Sequence, residues 1–140
     1  MPFAAEMWLD VPSREGAAGE VLHVAGEFPG KLEAMAWPET FARRLPGILR
    51  SWLIKSPLAD GGCDVLVVEA HGHARVFRQL ERDERPSLHD QQCQGCGAAH
   101  GATSFSGRAG AAWLCAACTR IPSSVSAVVA IVLGAAAALD

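Results

Sequence analysis

Four cysteines carry the most chemistry in this chain: Cys93 and Cys96, then Cys115 and Cys118. Two residues separate the members of each pair and eighteen separate the pairs, a C-x2-C-x18-C-x2-C pattern. A two-residue spacer lets one tight turn aim both sulfurs at a single point while backbone amides face them. Two such knuckles complete a tetrahedron at about 2.3 Å per Zn–S bond and leave no position open for a substrate. The spacing therefore predicts one structural zinc ion per chain, with these four cysteines as ligands and no catalytic residue among them. Gly95 and Gly97 flank Cys96, where a knuckle needs permissive backbone and close approach to sulfur. Trp113 and Leu114 stand just before the second pair, placed to cover one side of the metal. The fifth cysteine, Cys63, reads as a small buried apolar side chain. His89 and His100 flank the first knuckle and could act as ligands, but four thiolates already complete the set.

The pieces Cys93-Gln94-Gly95-Cys96-Gly97-Ala98 and Trp113-Leu114-Cys115-Ala116-Ala117-Cys118 are similar to the two knuckles of GATA-type fingers. More broadly the pattern resembles zinc-ribbon and treble-clef fingers, and it covers about a fifth of the chain. The resemblance implies a fold organised by zinc. GATA fingers carry a tryptophan and arginines in the middle and a basic segment after the last cysteine. Here Ser104-Phe105-Ser106-Gly107-Arg108 occupies the middle, and Ile121-Pro122-Ser123-Ser124 follows Arg120. Arg108 and Arg120 are the only charged residues from Cys93 to Arg120. Two cations release few counterions from DNA. Contacts to protein are accordingly the first reading, with the loop from Phe105 to Trp113 as the presenting surface. Nucleic acid, touched at phosphate by Arg108 and Arg120, is the second.

A third reading starts from Glu69, His71 and His73. At a spacing of two, an unbroken strand would carry all three on one face, a donor set that suits a metal with an open position. The His71-Gly72-His73 piece is similar to the core of JAMM-type metallopeptidases. That family places a serine and an aspartate downstream, where this chain has Glu81 and Glu84, with Ser87 and Asp90 further along. Gly72 favours a turn and two exposed histidines, which leaves the metal-dependent hydrolase as the lesser alternative.

These groups need elements to hold them. With 140 residues the chain has room for one ordinary domain, or a small domain plus a minimal module, and not for a large multidomain enzyme. Half of it is apolar and 19% is charged, which excludes disorder by composition. A net charge of −3 excludes binding to nucleic acid or anionic membranes by bulk charge. The start lacks a basic segment followed by an apolar run, which predicts a cytoplasmic or nuclear protein with reduced thiols.

The predicted fold class is α+β: a small α+β domain over 1–88, the four-cysteine zinc-finger module over 89–120, and an apolar helix over 121–140. Residues 1–18 read as a loose or edge segment, broken by Pro12 and the glycines near 16–19. Residues 20–25 read as a strand, closed by a turn at Phe28-Pro29-Gly30. Pro38 suits a first helical position, and Phe41, Leu45, Ile48, Leu49 and Trp52 recur at helical spacing, with a kink at Pro46. Residues 63–69 form the strongest strand, and its run of four apolar residues predicts burial on both faces. Residues 74–80 are expected to return as a hairpin, and the charged run 81–86 as a linker. Residues 97–110, rich in Gly, Ala and Ser, read as a loose hairpin or loop.

From 121 to 139 no residue is charged. As one helix this stretch would be about 28 Å long, enough to cross a bilayer core. Its many alanines and opening serines favour a helix docked on the core or on a partner, with membrane tethering as the alternative. A docked helix of this kind needs cover from the rest of the chain or from a second copy. The sequence thus predicts an intracellular zinc-finger adaptor or regulator that works through protein contacts.

Overall fold

The computed structural model describes residues 3–12, 19–59, 62–69, 74–79 (as backbone), 92–97 and 101–134. The fold is α+β. A seven-stranded antiparallel sheet is formed by β1 (Phe3–Val11), β2 (Glu20–Phe28), β3 (Ile48–Pro57), β4 (Cys63–Glu69), β5 (Ala74–Gln79), β6 (Thr103–Gly107) and β7 (Gly110–Leu114). The strands lie in the order β5-β4-β3-β1-β2-β6-β7. Two helices, α1 (Lys31–Ala42) and α2 (Pro122–Leu133), cover one face.

The first strand is a correction to the loose segment expected at the N-terminus. β1 lies at the centre of the sheet, antiparallel to both β2 and β3. Ala5, Met7, Leu9 and Val11 alternate onto the helical face and are buried there, while Glu6 and Trp8 point to the other. That period of two is the strand signal. Pro12 terminates the strand; it does not prevent it.

The helix predicted to run from Pro38 through Trp52 divides into two elements. α1 begins seven residues earlier, after Gly30, carries Glu33 in its first turn, and holds Pro38 in its interior. It buries Ala34, Pro38 and Phe41. Beyond Leu45 the chain turns into β3 through Pro46 and Gly47. Gly47 has φ +95°, and a Cβ on it would lie 2.5 Å from the Asp10 carbonyl oxygen. Only glycine passes there without strain. Ile48, Leu49 and Trp52 therefore belong to a strand, in which a bulge at Arg50 shifts the register so that Ser51 pairs with Trp8 and Leu49 with Leu9.

β4 and β5 form the expected hairpin, Cys63 opposite Gln79 and Val68 opposite Ala74. Burial on both faces of β4 is not found: Val65 is buried, and Leu66, Val67 and Val68 are half-buried. β6 and β7 make residues 103–114 a regular hairpin, in place of the loose one that the composition predicts. Its first strand β6 pairs with β2, so the sheet runs from the 1–88 stretch into the 89–120 stretch. One apolar core draws on Met7, Leu22, Phe41, Cys93, Phe105, Leu114 and Val128, residues from all three stretches.

α2 turns Val125, Val128, Val129, Val132 and Leu133 onto that core, beside β6 and β7. The helix expected over 121–139 ends at Leu133, because Gly134 adopts φ +79°. Residues 135–140 lie outside the described residues. Twelve residues span about 18 Å, and among the described residues no helix is long and apolar enough to cross a membrane.

Candidate metal centre

The four paired cysteines meet at one point: the sulfurs of Cys93, Cys96, Cys115 and Cys118 all lie within 4.8 Å of one another. Cys96 Sγ and Cys115 Sγ are 3.7 Å apart. Cys93 and Cys118 are buried, Cys115 is half-buried and Cys96 is exposed, so the cluster sits at the rim of the core with one cysteine toward solvent.

Each knuckle has a local cause. In the first, the Gly95 amide donates to Cys93 Sγ at 3.3 Å, and the Gly97 amide closes the turn onto the Cys93 carbonyl at 3.0 Å. Gly97 takes φ +79°, and Gln92 Nε2 donates to its carbonyl. Gly95 is required by packing: a Cβ there would stand 2.9 Å from Cys118 Sγ. The Gln94 amide donates to the Trp113 carbonyl at 2.8 Å, which ties this knuckle to β7. In the second, β7 delivers Cys115, the Thr119 amide bonds the Cys115 carbonyl, and Thr119 Oγ1 donates to the Ala116 carbonyl at 2.7 Å. A single 3-10 turn, Cys118–Arg120, then leads into α2.

Electrostatics favour a cation at the centre. Burial pushes the Cys93 thiol up, but the backbone amides of Cys115, Cys96 and Gly95 outweigh it, and its pKa is lowered to about 6. The Cys118 thiol is raised to about 12, first by hydrogen bonding to the Cys115 and Cys93 sulfurs and then by burial. Four thiols this close cannot all ionise unless a positive charge joins them. Amides aimed at sulfur, a soft tetrahedral donor set and a position at the edge of the core fit a single metal ion, and the cluster can hold one.

The remaining sequence candidates fare differently. Leu114 is fully buried and packs against Gly95, whereas Trp113 is half-buried on the opposite face of β7. Phe105, expected to present a binding loop with Trp113, is fully buried instead, tilted against Phe41 at 6.2 Å between ring centroids. The presenting loop is thereby corrected to a core hairpin: alternation in Thr103, Phe105 and Gly107 turns the aromatic inward. Arg108 lies at the hairpin tip and pairs with Glu20 at 3.1 Å, while Arg120 lies at the other end, beyond Cys118. The two arginines do not form one surface. His71, His73, His89 and His100 fall outside the described residues, as does the linker 81–86; Glu69 ends β4.

Sequence spacing gives no sign of one further constellation. On the face away from the helices, His23 Nε2 lies 2.9 Å from Glu6 Oε1, and His23 Nδ1 lies 3.2 Å from Ser106 Oγ. Lys55 Nζ is 3.6 Å from Glu6 Oε2, and Trp8 packs on the His23 ring at 5.0 Å. Glu6 is 4% exposed. The order of groups is that of a nucleophile, base and acid. β6, however, is paired on both sides, so its amides are taken up by β2 and β7 and offer no oxyanion donor. The network is a cross-strand clasp joining β3, β1, β2 and β6. Its signal is long-range pairing, which sequence spacing does not carry.

No protein-family model, curated protein or solved structure matches this chain.

Proposed function

We propose that the chain is a zinc protein whose metal is structural, and that it acts through protein contacts and not through catalysis at the metal. The observation that carries this reading is the closed set of four sulfurs, built into the same core as α2 and β1. A catalytic zinc keeps a position for water or substrate; four thiolates leave none. Zinc suits this donor set best among the common ions, since it takes four sulfurs tetrahedrally without redox change. Reduced cysteines of this kind accord with a cytoplasmic or nuclear setting. An adaptor or regulatory role draws support from large apolar side chains left on the surface, above all Leu32 on α1 (84% exposed) and Ile48 at the start of β3 (76% exposed).

Metal analysis of the purified full chain tests the first half. One zinc per chain is expected, and it should be lost in Cys93→Ser and in Cys118→Ser. Absence of zinc after purification with zinc present, or full retention in both variants, would refute the structural site. Photocrosslinking in cells from positions 32 and 48 tests the second half. Discrete protein adducts are expected, and a zinc-loaded chain that gives none would remove the adaptor role while leaving the metal.

A further inference from the structure

A groove of about 410 Å³ runs between α1 and the second knuckle, within the range of about 300–1,000 Å³ usual for small-molecule sites. Its floor is aromatic. Phe28 and Trp37 lie 5.3 Å apart between centroids, and Trp37 stacks on Phe41 at 5.6 Å with an interplanar angle of 15°. The charges along it are segregated. Glu33 lies in the first turn of α1, and Arg44 lies just past its C-terminal end, in the turn that follows Ala42. Arg120, the last residue of the 3-10 turn that begins at Cys118, lines the same groove as Arg44.

Neither arginine has a carboxylate partner among the described residues. Arg44 lies over the Phe41 ring at 5.6 Å, which leaves its guanidinium donors at the groove. Two of the hydroxyls along the groove are engaged with backbone: Thr40 Oγ1 donates to the Ala36 carbonyl and Thr119 Oγ1 to the Ala116 carbonyl. Arg44 also lines a second, smaller cavity of about 200 Å³ with Val125 and Val129, so the basic end continues toward α2.

The geometry points to a binding site for a small amphipathic anion: a flat aromatic body lying on the half-buried Phe28 and Trp37, with its carboxylate or phosphate held by Arg44 and Arg120. Two guanidinium groups without partners among the described residues supply planar donor forks for an oxyanion. The aromatic floor supplies the apolar contact area. Glu33, on the first turn of α1, repels a second negative group at that end and so fixes the orientation to one direction. No cysteine lines the groove, although Ala116 and Thr119 of the second knuckle form one of its walls.

The test uses 8-anilinonaphthalene-1-sulfonate, a flat aromatic anion, titrated onto the full folded chain and followed by energy transfer from tryptophan. Binding should weaken about tenfold in each of Arg44→Gln and Arg120→Gln, and stay unchanged in Arg50→Gln, whose arginine pairs with Asp10 elsewhere. The uncharged analogue N-phenyl-1-naphthylamine should bind at least roughly tenfold more weakly than the sulfonate. Trp37→Phe keeps an aromatic floor and should retain binding while losing energy transfer from that position. Displacement by phenyl phosphate or by benzoate then assigns the anionic group as phosphate or carboxylate. Binding that ignores both arginine changes, equal binding of the neutral analogue, or displacement by neither compound would overturn the site.

Discussion

Gly95 and Gly47 show how single positions without a side chain govern this molecule. At Gly95 an added methyl would stand 2.9 Å from Cys118 Sγ and push the two knuckles apart. Gly95→Ala is therefore expected to weaken zinc binding about tenfold or more in a chelator competition, with the other ligands untouched. At Gly47 the penalty is conformational and steric together, from φ +95° and the Asp10 carbonyl. Gly47→Ala should cost about 1–3 kcal/mol in urea unfolding. The cysteines themselves give a pH dependence. A metal must displace the Cys118 proton, held up to a pKa of about 12, at any neutral pH, and the Cys93 proton as well once the pH falls toward about 6. Affinity for zinc is thus fully expressed at high pH and declines as pH drops. Proton release on zinc addition should be measurable near neutral pH in weak buffer and should increase as the pH approaches the Cys93 value of about 6.

At the scale of elements, β6 joins the hairpin that leads into Cys115 to the rest of the sheet. Phe105 is its one large apolar side chain and it reaches the centre of the core. Phe105→Ala should cost about 3–5 kcal/mol, read as a lower urea midpoint. How much of this is legible in the sequence follows from what kind of information each element carries. The two knuckles are readable because ligand spacing is local, and β2, β4 and the turn at Phe28 are readable from short runs and breakers. β1 escapes such a reading because Pro12 and the following glycines outweigh a clear alternation of Ala5, Met7, Leu9 and Val11. α1 and β3 merge because Phe41, Leu45, Ile48 and Trp52 satisfy a helical period by chance across Pro46 and Gly47. Phe105 looks exposed because its neighbours are serines and glycines, and only pairing of β6 with β2 shows which way it points. The clasp of Glu6, His23, Lys55 and Ser106 brings together residues from four strands, so no local pattern could announce it.

For the whole molecule, the cysteine cluster and the core are one unit. Cys93, Cys118 and Leu114 pack with Met7, Val24 and the valines of α2. Removal of zinc by a chelator is expected to lower the urea midpoint of the entire chain, in a single transition seen alike by tryptophan fluorescence and far-ultraviolet circular dichroism. Two separated transitions would show that the hairpin melts alone. Deletion of 122–140 strips five buried apolar side chains from the core and is expected to give aggregated protein.

The strand order has a further consequence during synthesis. β1 sits between β2 and β3, so the first three strands can assemble as soon as residue 57 has left the ribosome, and β4 and β5 extend the sheet outward from β3. The opposite border, β2, then waits with its backbone groups unpaired until residues 103–107 arrive, long after β3 is complete. An unpaired border of this kind recruits strands from other molecules. The β6–β7 hairpin that delivers Cys115 is the piece that seals it, and until it arrives nascent chains can stick to one another along β2.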